Sequence, residues 1–244
     1  MEDYQKIIIS KFLDSLENDV MKQFGIELFN SLPDYWYKVA ASSSGKYHRH
    51  DVCGDYGLFI HSWRVEEFIT YMLELEQYST KFTSMEKDAL RLSAFIHDGE
   101  KHGKDDIGGH TIFEHPQVMS ETIRCFKTDK VDQDILDFMA DAIKSHMGQW
   151  NTTKKSKIEL PKPTTLAQEL VHLADYLASR KPVSIDVPEH CPKQELPKPE
   201  EYRLTFGRHN GELLSDVIKN DYSYIMWLKE SYHKEPLRTM VEKL

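Results

Sequence analysis

Positive charge is in short supply in this chain: 31 Lys and Arg stand against 40 Asp and Glu, for a formal net charge of -9. A broad, nonspecific nucleic-acid surface takes its affinity from Lys and Arg that neutralise phosphates, so that class is disfavoured, whereas a local phosphate-binding cleft is not. Cysteine is scarcer still. Cys53, Cys125 and Cys191 lie far apart with no C-x-x-C spacing, which gives no sign of a disulfide framework or a thiolate zinc site and points to reduced thiols. No apolar run approaches the ~20 residues needed to cross a bilayer. The first residues, MEDYQKIIISKFLDSLENDV, interrupt their apolar positions with acids and bases, unlike a secretory signal. A cytoplasmic protein without membrane contact is expected. Neither G-x-x-x-x-G-K-[ST] nor G-x-G-x-x-G occurs, which leaves kinase and dehydrogenase readings little support.

What the chain does have is a series of His and Asp residues in or beside apolar, helix-like runs. His61 stands in GLFIHSWRV, His97 and Asp98 in ALRLSAFIHDGEK, His115 in FEHPQV, His146 in IKSHMGQW and Asp175 in VHLADYLASR. Imidazole nitrogen and carboxylate oxygen suit hard-to-borderline divalent metals, and burying several without a cation leaves polar groups poorly satisfied. A shared metal site is the simplest account.

Periodicity predicts a mainly α protein. Residues 3 to 30 carry apolar positions at near-helical spacing, consistent with a helical N-terminal segment (1–42) that serves as core or lid. Residues 39 to 56 read as a loop bordering the site. Helices are expected over 57–75, 84–98 with Ser84 as N-cap, 116–126, 132–147 and 165–180. Five of the ten prolines fall in 182–201, marking a linker or extended connection. The remainder, 202–244, reads as a small α+β module: two short strands around a turn at residues 208 to 211, then one or two helices. Over 196–244 eight Lys or Arg stand against eight Asp or Glu, and the aromatics Tyr202, Phe206, Tyr222, Tyr224 and Trp227 suit the core of a small module better than a base-stacking surface.

The ordered set H…HD…H…H…D resembles the HD-domain metal-dependent phosphohydrolases, a helical superfamily, over residues 43–181. That resemblance implies a helical bundle in which His61, His97, Asp98 and Asp175 hold one divalent ion. It adds His115 and His146 as ligands in members that hold two, with Asp98 bridging both. Mixed His and carboxylate ligands fit Mn, Fe, Co, Ni or Zn better than Mg. Lys101 occupies the family's H-D-x-x-K position, beside a phosphate or a metal-linked group, although H-D-G-E-K departs from the frequent H-D-I-G-K. Lys46 and His48 lie in a K-Y-H context similar to that of some HD phosphodiesterases. They join Arg180, and with less support His50, Arg64 and His110, as candidate substrate contacts. His102 and His110 compete with His115, but E-H-P before a helix is the better match. The run F-G-x-x-x-G with Asp221-Tyr222 and Trp227-Leu228 is similar to a small C-terminal module of exonuclease X-like proteins.

The expected function is a metal-dependent phosphohydrolase, with phosphodiesters leading: a cyclic nucleotide or a short or single-stranded nucleic acid. A nucleotide phosphomonoesterase or deoxynucleoside triphosphohydrolase, for which one ion suffices, is the nearest alternative. A metal-containing nucleotide sensor without turnover is the third.

Overall fold

The computed structural model describes residues 1–42, 48–106, 109–154, 156–183, 185–191 and 196–244, which form a mainly helical protein. Its helices are α1 (Asp3–Asp14), α2 (Asp19–Ser31), α3 (Gly57–Glu74), α4 (Glu76–Ser79), α5 (Ser84–Ile96), α6 (His115–Arg124), α7 (Gln133–Lys144), α8 (Leu166–Ala178), α9 (Leu214–Asn220), α10 (Tyr222–Ser231) and α11 (Leu237–Glu242). Among the described residues no helix is long and apolar enough to cross a membrane.

The frame is α3 packed on α5 and α8, with α7 against α5, α6 and α8. One apolar cluster joins the N-terminal helices to it, through Phe12, Phe24, Phe29, Trp36, Phe59 and Phe95. A second lies between α3, α5, α7 and α8 around Val65, Ile69, Leu90, Leu170 and Val171. The N-terminal helices are thus part of the core. The helical segment expected there is divided into two helices. The break at residues 15 to 18 is held from α5: buried Asp88 accepts Glu17 N–H at 3.2 Å and both the backbone and side-chain N–H of Asn18 at 2.8 Å. A carboxylate more than seventy residues away in sequence serves as the start signal of α2, and no local pattern reports it.

Helix α5 is capped by Thr83, one residue before the expected Ser84. Thr83 Oγ1 accepts Glu86 N–H while the Glu86 carboxylate accepts Thr83 N–H, a reciprocal capping box. Thr165 and Gln168 start α8 in the same way.

The described part of the Pro-rich connection lies against the main core, with Cys191 buried and Ile185 and Val187 packed on it. Residues 202–244 bury their own cluster, including Leu204, Leu214, Val217, Ile225, Leu228 and Leu237. The two short strands expected there reduce to a single antiparallel bridge between Arg203 and Leu213. The chain turns through Gly207 and Gly211, both at positive φ, and α9 begins at Leu214, which leaves no residues to extend a ladder. The module is helical rather than α+β. It is tied to the residues after α8 by an ion pair between Lys181 and the buried Glu235 carboxylate.

Candidate metal centre

His61 comes from the N-terminal part of α3, His97 is the C-cap of α5 with Asp98 next, His115 opens α6, His146 follows the end of α7 and Asp175 lies within α8. His97, Asp98 and His146 therefore sit at the partially negative C-terminal ends of α5 and α7, which favours a cation there.

Three of the rings are held alike. Nδ1 donates to the carbonyl three residues earlier: His97 to Ala94 at 2.8 Å, His115 to Ile112 at 2.7 Å and His146 to Ile143 at 2.9 Å. A carbonyl only accepts, so Nδ1 carries a proton in each and Nε2 is the atom turned to the interior. Backbone support of this kind orients metal-binding imidazoles.

Those Nε2 atoms face carboxylates. Asp175 Oδ1 is 3.0 Å from His61 Nε2 and 3.7 Å from His97 Nε2. Asp98 is divided: Oδ2 lies 3.4 Å from His97 and 4.0 Å from His61, while Oδ1 lies 3.1 Å from His115 and 3.7 Å from His146. Nε2 of His115 and Nε2 of His146 are 3.2 Å apart. His61 Nε2, His97 Nε2 and Asp98 Oδ1 are buried and make no hydrogen bond. Acceptors buried against acceptors each cost about 1–3 kcal/mol, and a divalent cation removes the conflict. His61, His97 and Asp175 form one group whose ligand atoms lie within 4.8 Å of one another, and His97, Asp98 and His146 form another. The donor set fits a divalent metal.

Protonation agrees with that fit. Burial pushes the Asp98 and Asp175 carboxyls up, but their neighbours outweigh it, chiefly Lys101 and His97 for Asp98, and for Asp175 the close polar contact of the His61 ring together with His97. Both are held well below the usual carboxylate range. Burial pushes His61 down, and burial with His97 pushes His146 down to about 3, which keeps both rings neutral. His97 is the exception: burial lowers it, yet Asp98 and Asp175 outweigh that and raise it. Because its Nε2 still donates to neither carboxylate, its geometry is that of a shared ligand rather than an ion pair.

All of these candidate ligands but His97 line a cavity of about 280 Å³, together with Ala41, His48, Lys101, Trp150, Tyr176 and Arg180. Lys101 Nζ lies 2.5 Å from Asp98 Oδ2. The His48 ring stands 5.3 Å from that of His61, with a buried Nδ1 that has no hydrogen-bond partner. Arg180 is at the rim, its guanidinium 4.1 Å above the Tyr176 ring. Lys46 lies outside the described residues. The other candidates stand elsewhere. Arg64 is buried in a pair with Asp51, His50 lines a separate groove beside Lys181 and Glu235, and His110 is exposed. His102 stacks on Tyr35 and bonds Asp106 through Nδ1 at 2.7 Å.

Two glycines allow this packing. Gly148 has φ +54, and a Cβ there would meet the His172 ring at 2.1 to 2.5 Å. That ring donates through Nδ1 to the His146 carbonyl at 2.7 Å, so His172 steadies the turn that carries a ligand. At Gly99, where the resemblance leads one to expect Ile, a Cβ would come within 2.9 Å of Leu32 and Met119. The departure lets α2 and α6 approach the H-D turn.

Sequence reasoning missed Trp150 and Tyr176. Their signals were adjacency to ligands, Trp150 four residues after His146 and Tyr176 directly after Asp175, and the helical i, i+4 spacing of Tyr176 and Arg180.

A family model described as HD domain matches residues 58–180, about half of the chain and the segment from α3 to just past α8. No curated protein and no solved structure matches the chain.

Proposed function

The chain belongs to the HD domain family of metal-dependent phosphohydrolases, and from that membership we propose that it hydrolyses phosphodiesters, either a cyclic nucleotide or a short or single-stranded nucleic acid. The observation that carries this reading is the division of Asp98, whose two oxygens face different histidines, His97 and His61 on one side and His115 and His146 on the other. A carboxylate so placed would serve both ligand groups, His61, His97 and Asp175 on one side and His115 and His146 on the other, were two cations held. When bound, such ions lower the pKa of water to give hydroxide near neutral pH and stabilise charge on a phosphoryl oxygen. Mn, Fe, Co, Ni or Zn fit these donors better than Mg.

The chain's own residues supply the rest. Asp98 is the catalytic carboxylate, and Lys101, paired with its Oδ2, holds its orientation and offers further N–H donors to a phosphoryl oxygen. His48 and Arg180 on the cavity wall are substrate contacts, and Lys46, outside the described residues, is a third by its sequence context. The similarity of residues 202–244 to a module of exonuclease X-like proteins favours a nucleic-acid strand among the diesters.

The test is a hydrolysis screen with Mn, Ni, Co and Mg supplied separately. Cyclic dinucleotides, cyclic mononucleotides, single-stranded RNA and DNA, and deoxynucleotides are the substrates, with Asp98→Ala as control. The expected result is diester cleavage that vanishes in the variant. Release of phosphate or triphosphate from free nucleotides would replace it with the monoesterase or triphosphohydrolase reading, and bound metal without turnover would replace it with a sensor.

A further inference from the structure

Above the ligands, Trp150 and Tyr176 form a nearly parallel aromatic pair, ring centroids 5.6 Å apart at 11°. The Arg180 guanidinium caps both, 4.1 Å from the Tyr176 ring and 5.3 Å from that of Trp150. Tyr176 follows Asp175 directly on α8, so this wall is rigidly joined to the metal-ligand set. Both rings and Arg180 line the same cavity as His61, Asp98, His115 and Asp175. Of the other tryptophans, Trp36 and Trp63 in the main core are 0% and 7% exposed, and Trp227 of the C-terminal module is 47% exposed. Trp150 is 41% exposed, although its partners already fix it from one side.

We propose that Trp150, backed by Tyr176 and Arg180, is a nucleobase platform, so that the substrate is a nucleotide unit whose base stacks on the indole while its phosphate reaches the metal ligands. This rests on the phosphohydrolase reading for the role of the phosphate and adds the base as the group that the protein itself recognises. Stacking on an aromatic face is tolerant of base identity, since every base has a π-face. Arg180 contributes twice, by holding the rings in place and by adding positive charge on the path from base to phosphate.

The experiment is equilibrium binding to the metal-loaded full chain of two probes with hydrolysis-resistant P–C bonds, the 5′-phosphonates of adenosine and of ribose. Intrinsic fluorescence is read in a Trp227→Phe background, which leaves Trp150 as the one well-exposed indole. The adenosine probe is expected to bind more tightly than the ribose probe and to quench Trp150 emission. Trp150→Ala should weaken the adenosine probe about 10- to 100-fold, the range for one base–aromatic stack, and leave the ribose probe unchanged. Trp150→Phe should recover most of the loss. Equal affinity of the two probes for the parent chain, or an equal loss for both in Trp150→Ala, would overturn the proposal. Base-dependent binding in a protein without hydrolytic turnover would leave the platform standing and sink the phosphohydrolase reading instead.

Discussion

Two buried polar clusters share helix α3 and differ in how their charges are met. In the first, Arg64 donates Nε to the Ile185 carbonyl at 2.9 Å and both terminal nitrogens to Asp51 at 3.0 and 2.6 Å, and Arg91 meets Glu66 at 2.8 Å. Every one of these charges has an opposite charge. In the second, which includes His61 one turn from Arg64, buried imidazoles and two carboxylates face one another, and among the described residues Lys101 is the one basic side chain paired with them. The first arrangement is complete as protein and ties the loop before α3 and the Pro-rich connection to the frame. The second would be completed by a divalent cation, which supports the proposal that it is the functional site.

The sharpest way to break this contrast is Asp98→Ala. It should abolish metal-dependent hydrolysis and remove the stabilisation that metal confers, about 2.7 kcal/mol at a hundredfold excess over Kd. Thermal melts with and without chelator, beside a metal-content assay, check it. A chelator-sensitive Tm that survives in Asp98→Ala would show that the ion sits elsewhere. Arg64→Ala is the converse: it removes both bonds to Asp51 and leaves that carboxylate only the longer Arg49 contact at 3.6 Å, which should cost about 1–3 kcal/mol of stability, while the folded fraction keeps its metal affinity. Denaturant unfolding followed by metal titration separates the two effects, and a lowered affinity with unchanged stability would erase the distinction between the clusters.

Gly148→Ala forces a residue with a side chain to φ +54 and drives its Cβ into the His172 ring. Metal affinity should fall about 10- to 100-fold, as when outer partners of ligands are lost, and calorimetric titration reads it. The smallest expected effects are pH slopes of opposite sign in the metal-free chain. His146 is depressed to about 3, so below the ordinary 6.5 the unfolded state takes up a proton that the folded state refuses, and stability falls as pH drops from 6.5 toward 3. Glu66 is raised to about 7, chiefly by burial against the opposing pull of Arg91. Its contribution is therefore fully present below pH 4.5 and is lost as pH rises through 7. Each group has a slope of at most about 1.4 kcal/mol per pH unit. Tm against pH for His146→Gln and Glu66→Gln should show the acid-side slope reduced in the first and the neutral-side slope reduced in the second. Unchanged slopes would remove the electrostatic contrast.

The helical frame was legible because its apolar positions repeat at helical spacing, and α3, α5, α6, α7 and α8 lie within a few residues of their expected ranges. The ligand set was legible as residue types in order. The turn between α1 and α2 was not, because Asp88 holds it from α5. The strands expected near residues 203 and 213 failed because α9 claims the residues that a ladder needs. Trp150 and Tyr176 carry no periodic signal as a pair: they meet only because the chain after α7 folds back on α8.

The sequence by itself determined a helical chain, six candidate donor side chains and their order along it, since periodicity and residue chemistry are local properties. Tertiary structure alone decided that Asp98 presents one oxygen to each pair of histidines, that backbone carbonyls orient three of the rings, and that an exposed indole stands above the ligands. Those facts depend on the angles at which helix ends meet, and packing between residues distant in sequence sets those angles.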